Sequence, residues 1–225
     1  MRMLLIRHGQ TRSNQLGLLD TAPPGPELSP LGREQAERLA DLLADESIEA
    51  VVASTARRAQ QTATPLARRR GLAVEVVDGL AEVAAGDWEM TGNPELVRSY
   101  LDTLGHWMVG DLERRTPGPN GESGAELFAR VDTAMAALVA RDLPTLAVVA
   151  HGALLRTWAS VRAVNLPADF GAGRPLGNTG VIILDRPDSD PATGWTCLSW
   201  TGQPDPLVPP PGTTGDPGAE PIPVP

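Results

Sequence analysis

The sequence contains a single cysteine, Cys197, so no internal disulfide framework can form among its 225 residues. One thiol leaves the redox compartment open, although a reducing compartment fits. No apolar run approaches the length of a membrane span, and the amino terminus lacks the apolar segment and cleavage site of a signal peptide. We therefore expect a cytoplasmic protein without a membrane-bound part.

Basic residues are also in the minority. Nineteen Lys and Arg residues stand against 28 Asp and Glu residues, which gives a net charge of −9. This balance opposes general attraction to nucleic acid or to an anionic membrane, so we expect neither as a partner. An anionic substrate must then be attracted by local cations. The length and the hydrophobic content of 41% are ordinary for one main soluble domain.

Apolar runs alternate with amphipathic segments along most of the chain. Their spacing predicts strands at 3–6, 48–53, 74–77, 145–150, 181–184 and 195–200. It predicts helices at 29–45, 54–70, 94–104, 123–139 and 153–164. The β-α-β-α-β order predicts an α/β fold of three layers, α/β/α, around a mostly parallel sheet.

Two segments depart from this regular order. Residues 84–120 are rich in Gly, Pro and Trp, which is typical of a cap inserted over the active edge of the sheet. Residues 202–225 are dominated by Pro and Gly and cannot form a core. We predict a folded domain at 1–201 and an extended or disordered tail, which is either merely solvated or a proline-motif ligand for a partner.

Two of the three histidines stand at the ends of predicted buried strands, each beside a glycine. His8 comes after the strand at 3–6, and His151 comes after the strand at 145–150. Open α/β sheets bind their ligands at the carboxyl ends of such strands. A lone histidine at such a position more often has a structural role, but two histidines with neighbouring arginines favour a catalytic role.

Phosphoryl transfer through an enzyme nucleophile explains this set of residues. The proposed nucleophile, His8, needs one unprotonated ring nitrogen, with the other nitrogen held by an acceptor such as a backbone carbonyl. Arg7 and Arg58 offer planar donor forks that suit phosphate oxygens. Their charge also disfavours the imidazolium form of His8.

Several motifs, in this order, resemble the histidine phosphatase superfamily, which has the phosphoglycerate-mutase-like fold. They are R-H-G-Q-T at 7–11 with Asn14, S-T-A-R-R-A-Q-Q-T-A at 54–63, Glu82 ahead of G-D-W-E at 86–89, and V-V-A-H-G at 148–152. The likeness covers residues 1–200, leaving the cap poorly matched and the tail unmatched. It implies that His8 is phosphorylated during turnover. Four further residues would hold the phosphoryl group: Arg7, Arg58, His151 and, in an assisting role, Asn14.

The resemblance also points to an acid in the loop after the third strand. Glu82 matches the proton donor of the family, and Asp87 and Glu89 are alternatives in the same loop. Met90 stands where many relatives have glycine, so we expect a loop of different shape. Gly121-Glu122-Ser123 also resembles a family segment, and its simplest physical role is to start the next helix.

The resulting prediction is a metal-independent phosphomonoesterase that acts on a small phosphorylated molecule. No His, Cys or Asp spacing suggests a metal site, and we expect no cofactor. A cofactor-dependent phosphoglycerate mutase and a non-catalytic protein that binds phosphorylated ligands remain the alternatives. Self-association into a homodimer is left open. His106 matches no motif and is interpreted as a cap residue.

Overall fold

A six-stranded mixed sheet forms the centre of the computed structural model, which describes residues 1–186 and 194–201. The strands are β1 (Arg2–Arg7), β2 (Ala50–Ala53), β3 (Val74–Val76), β4 (Thr145–Ala150), β5 (Val181–Asp185) and β6 (Thr196–Thr201). Their spatial order is β3-β2-β4-β1-β5-β6. The first four strands are parallel to one another, β5 is antiparallel to β1, and β6 is antiparallel to β5. The predicted mostly parallel sheet is confirmed, whereas the predicted tail at 202–225 lies outside the described residues.

Helices cover both faces of this sheet. They are α1 (Arg12–Gln15), α2 (Pro30–Leu42), α3 (Arg57–Arg69), α4 (Pro94–Met108), α5 (Gly124–Val139) and α6 (Gly152–Arg162). Leu4 and Ile6 of β1 pack with α2 and α3, while Met3 and Leu5 pack with α4, α5 and α6. This alternation buries both faces and confirms the three-layer α/β/α architecture. None of the helices described is long and apolar enough to cross a membrane.

The start of α3 differs from the prediction. Ser54 was expected to begin the helix, but its amide donates to the carbonyl of Val149 at 3.0 Å and so continues the sheet pairing. The helix begins three residues later, at Arg57. Ser54 therefore lies at the carboxyl edge of the sheet, beside His151. The one-turn helix α1 was not predicted, because four residues give no readable periodicity.

The segment between β3 and α5 joins the main core through α4. This helix runs to Met108, one turn further than predicted, and buries Tyr100, Leu104 and Trp107 with side chains of α5 and α6. The indole nitrogen of Trp107 donates to the carbonyl of Arg114 at 2.8 Å. A Cβ atom on Gly124 would lie only 2.8 Å from Trp107 Cγ, so glycine permits this close packing.

Met90 occupies a backbone conformation that favours glycine. Its φ angle is 60°, and its amide donates to the carbonyl of Leu19 at 2.7 Å. Met90 thus lies in the left-handed region, which glycine adopts readily. The side chain is 53% exposed, so its removal forfeits little burial.

We therefore expect Met90→Gly to raise the free energy of unfolding by up to about 1 kcal/mol. The left-handed conformation costs a residue with a Cβ atom about 1–2 kcal/mol, and glycine avoids this cost. Glycine also loses more conformational entropy on folding, which offsets about 0.5–1 kcal/mol of the gain. Chemical denaturation measures the change. Met90→Ala removes the same exposed side chain but keeps Cβ, so it should give no gain. A loss of stability in Met90→Gly would contradict this account.

Candidate active site

Parallel pairing of β1 and β4 brings His8 and His151 together. The register aligns Arg7 with Ala150, so each histidine follows its strand at the same edge. The amide of His8 donates to the carbonyl of Ala150 at 3.0 Å. The two imidazole rings lie with their centroids 5.3 Å apart and their planes at 63°.

The hydrogen bond made by His8 defines its tautomer. Nδ1 lies 2.8 Å from the carbonyl oxygen of Gly9, which can only accept, so Nδ1 carries the proton. Nε2 then keeps its lone pair. Burial, followed by the charges of Arg58 and Arg7, holds the pKa of His8 well below its usual range. The ring is therefore neutral at pH 7 and has a nucleophilic nitrogen.

Two helices fix the turn after His8. The amide of Gly9 donates to Thr62 Oγ1 at 2.9 Å, and the Thr62 hydroxyl donates to the carbonyl of Arg58 at 2.7 Å. A Cβ atom on Gly9 would lie 2.6 Å from the carbonyl oxygen of Gly32 in α2. The glycines thus allow α2 to approach the turn, and Thr62 ties the turn to α3.

Arg58 is buried at the start of α3, whereas the neighbouring Arg57 is exposed. Nη2 of Arg58 donates to the carbonyl of Asp20 at 3.0 Å, and Nη1 lies 3.8 Å from Asp20 Oδ1. Within the described part of the chain, Nη1 is buried without a hydrogen-bond partner. A buried guanidinium donor needs an acceptor, and a phosphate oxygen would supply one.

Arg7 approaches the same site from β1. Its Nη1 donates to the carbonyl of Leu176 at 2.8 Å. A Cβ atom at Gly152 would lie 3.0 Å from Arg7 Nε, so the guanidinium lies against the start of α6. Arg7 and Arg58 therefore place two cations beside His8.

His151 lies fully buried before α6. Its Nε2 lies 2.7 Å from Ser54 Oγ, and its Nδ1 has no hydrogen-bond partner among residues 1–186 and 194–201. Burial, followed by the charge of Arg58, holds the pKa of His151 well below its usual range. Ser54 thus orients the second histidine. The sequence analysis missed this role, although Ser54 opens the S-T-A-R-R-A-Q-Q-T-A motif.

Glu82 is held by backbone amides at the start of α6. Oε1 accepts from Val83 at 2.9 Å and from Leu154 at 2.8 Å, and Oε2 accepts from Ala153 at 3.1 Å. Amide donors at a helix amino terminus stabilise a carboxylate. The helix that follows His151 therefore also fixes the position of Glu82.

An ion pair holds the loop that carries Glu82. Arg130 donates to the carbonyls of Gly79 and Ala81 at 2.8 Å and pairs with Glu122, whose Oε1 lies 2.5 Å from Arg130 Nε. Glu122 Oε2 also accepts from the amide of Ala84 at 3.2 Å. The expected role of 121–123 in starting a helix was incomplete: Ser123 caps α5, but Glu122 anchors this loop.

The two alternative acids lie elsewhere. Glu89 accepts hydrogen bonds from the amides of Thr21 and Ala22, at 2.8 and 3.1 Å, and from the Thr21 hydroxyl. Asp87 is exposed, and its carboxylate lies against Gly118. Neither side chain lines the cavity at His8. Glu82 is the candidate of the three that does.

A cavity of about 140 Å³ unites most of the predicted site residues. Five of them line it: Arg7, His8, Asn14, Arg58 and Glu82. His151 does not line the cavity, although its ring contacts that of His8. Asn14 Oδ1 accepts from the amide of Thr11 at 3.0 Å and from Asn178 Nδ2 at 3.3 Å, which fixes its side chain. Arg156, which the sequence analysis did not single out, also lines the cavity.

The sequence is similar to those of known phosphatases. The family model of the histidine phosphatase superfamily (branch 1) matches residues 3–201. The glucosyl-3-phosphoglycerate phosphatase of Mycobacterium tuberculosis is 34% identical over 208 residues, which cover 84% of this chain and 88% of that protein. The adenosylcobalamin/alpha-ribazole phosphatase of Escherichia coli is 34% identical over 170 residues, covering 75% and 82%.

A further relative is longer than this chain. The PE-PGRS family protein PE_PGRS11 of Mycobacterium tuberculosis is 32% identical over 216 residues, and the chain spans 36% of its length. Solved structures of a mycobacterial glucosyl-3-phosphoglycerate phosphatase, native and in complex with VO3, share the fold with TM-scores of 0.72. They are 29% and 30% identical and cover 90% and 88% of this chain, and 99% and 98% of their own.

Proposed function

Because the chain belongs to the histidine phosphatase superfamily, and is thus an enzyme that hydrolyses phosphate esters, we propose that it acts on small phosphomonoesters through a phosphohistidine at His8. One observation carries this proposal: a buried, neutral His8, with Nδ1 on the Gly9 carbonyl, shares a cavity with two arginines and Glu82. Nucleophile, phosphate-binding cations and a proton carrier are thus present together.

In the first step, Nε2 of His8 attacks phosphorus while the bond from phosphorus to the alcohol oxygen breaks. Arg7 and Arg58 stabilise the charge on the non-bridging oxygens, and His151 donates a hydrogen bond to one of them through Nδ1, the nitrogen that lacks a partner among the described residues. Glu82 gives its proton to the departing alkoxide and becomes a carboxylate. Three backbone amides donate to that carboxylate once the proton has left.

In the second step, water attacks the phosphorus of the phosphohistidine. Glu82 accepts a proton from this water, the bond from nitrogen to phosphorus breaks, and inorganic phosphate leaves. His8 returns to the neutral imidazole with its proton still on Nδ1. The amides of Val83, Ala153 and Leu154 suit Glu82 to this step, since they stabilise the ionised carboxylate that serves as the base.

A substrate screen tests the proposal. Purified protein is assayed for phosphate release from sugar phosphates, phosphoglycerates, nucleotides and phosphopeptides. Incubation of 3-phosphoglycerate with and without 2,3-bisphosphoglycerate separates the two related activities, because a mutase makes 2-phosphoglycerate and a phosphatase makes free phosphate. Release of phosphate supports the proposal. No turnover of any ester would favour the binding protein instead.

We expect activity to survive chelation. Arg7 and Arg58 supply the positive charge that a divalent ion would otherwise provide. Among the residues that the structure describes, no group of three or more His, Cys, Asp or Glu side chains is arranged to hold a metal. Activity should therefore change less than about twofold in EDTA, while vanadate, a mimic of pentacoordinate phosphorus, should inhibit competitively. Loss of activity in EDTA that a divalent ion restores would contradict metal independence.

A further inference from the structure

The cavity has an apolar wall on the side of α4. Seven apolar side chains line the cavity: Leu18, Leu19, Val97, Leu101, Ala153, Pro175 and Leu176. Tyr100 lies among them, but its hydroxyl donates to the carbonyl of Val83 at 2.9 Å. Burial raises the pKa of Tyr100 well above its usual value, so the phenol stays neutral. The three residues of α4 that line the cavity, Val97, Tyr100 and Leu101, therefore present no charged group to a substrate.

The charges of the cavity are arranged for one phosphate. Arg7 and Arg58 lie beside His8, while Asp20 and Glu82 add two carboxylates. A second anionic group on the substrate would meet these carboxylates or the apolar wall, and both cost free energy unless Arg156, the third arginine of the lining, pairs with that group.

Arg156 is the remaining arginine that lines the cavity. It directs hydrogen bonds to backbone carbonyls, from Nε to Gly152 at 3.3 Å and from Nη1 to Gly171 at 3.3 Å and Arg174 at 3.5 Å. The guanidinium thereby ties α6 to the 171–176 segment, which carries Pro175 and Leu176 of the wall. Arg156 thus supports the wall.

We propose that the alcohol part of the substrate is uncharged and has an apolar face that packs against Leu101 and its neighbours. This inference rests on the proposed phosphatase function and narrows its substrate class. Monoesters of aromatic or alkyl-bearing alcohols fit the cavity. Monoesters that carry a carboxylate or a second phosphate on the alcohol do not.

The test compares three esters of primary alcohols: benzyl phosphate, glycerol 3-phosphate and 3-phosphoglycerate. They differ in the apolar face and charge of the alcohol. Burial of part of a phenyl ring should raise kcat/KM for benzyl phosphate by about tenfold over glycerol 3-phosphate. An unpaired carboxylate should lower the value for 3-phosphoglycerate by about 100-fold relative to benzyl phosphate.

Two variants of Leu101 test the wall itself. Leu101 lines the cavity and is half-buried, so a longer side chain at this position can extend into the cavity. Leu101→Lys adds a cation, and Leu101→Gln is the matched neutral control. Both should lower kcat/KM for benzyl phosphate, but only Leu101→Lys should raise the value for 3-phosphoglycerate, by about tenfold over Leu101→Gln. An unchanged inhibition constant for vanadate would show that the phosphate end is intact.

The outcomes separate this inference from the function on which it rests. The inference is supported if benzyl phosphate has the highest kcat/KM of the three esters and Leu101→Lys raises kcat/KM for 3-phosphoglycerate over Leu101→Gln. Equal values for the three esters, or 3-phosphoglycerate as the best, would overturn the inference while leaving the phosphatase function in place. Failure to hydrolyse any of the three, or any ester of the wider screen, would overturn the proposed function and the inference with it.

Discussion

Replacement of His8 with alanine is expected to lower kcat for phosphomonoester hydrolysis by about 10⁴-fold or more, because the nucleophile of a covalent mechanism has no substitute. Nδ1 of His8 lies 2.8 Å from the carbonyl oxygen of Gly9, and the residue lines the cavity. Water can occupy the vacated space, but it lacks the fixed orientation of the imidazole. Steady-state phosphate release measures the loss.

His106→Ala is the matched control. This histidine lies on α4, where its Nε2 is 3.8 Å from Asp102 Oδ2 and its Nδ1 is 3.3 Å from Asp111 Oδ2. Its side chain is 41% exposed. It does not line the cavity, so its loss should leave kcat unchanged. Equal losses in His8→Ala and His106→Ala would point to damaged folding, and substantial activity in His8→Ala would refute the assigned nucleophile.

The second large effect is expected from Glu82→Gln. This change removes the transferable proton, so kcat/KM should fall by about 100-fold or more for alkyl phosphates. Activated aryl phosphates need little protonation of the leaving oxygen, and they should lose less than about threefold. A series of esters with graded leaving groups, assayed on wild type and variant, measures the difference.

The structure shows that glutamine is an imperfect replacement at position 82. Both oxygens of Glu82 accept backbone amides, and an NH₂ group cannot accept them. Glu89→Gln is the matched control, since Glu89 also accepts backbone amides but does not line the cavity. It should show no dependence on the leaving group. Equal losses for both ester types in Glu82→Gln would make Glu82 structural and would return attention to Asp87 and Glu89.

Local signals in the sequence were sufficient for the fold and for the strand-end residues. The alternation of apolar runs predicts the sheet, and Ser29 with Pro30 predicts the start of α2. His8 and His151 each follow a buried strand, and parallel pairing of β1 with β4 necessarily brings such residues to one edge. The sequence therefore places both residues at the carboxyl ends of strands, while their proximity follows from the strand order in the structure.

Other parts of the site depend on contacts between distant segments. Ser54 could not be assigned to His151, since its neighbours also fit a helix and the contact spans 97 positions. Glu122 and Arg130 hold the loop of Glu82 through backbone carbonyls and an amide, and such bonds leave no periodic pattern. The apolar wall likewise combines residues of α4 with the 18–19 and 175–176 segments. Tertiary packing alone places these groups together.

Rapid quenching of the reaction with a phosphate-labelled ester tests the central claim most directly. Quenched in alkali within the first turnover, the protein should carry label that is stable to base and labile to acid, and peptide mapping should place it on His8. The Glu82→Gln variant should retain more of the label when an activated aryl ester is used, because its second step lacks the general base. Label on another residue, or turnover without any labelled protein, would contradict a phosphohistidine mechanism at His8.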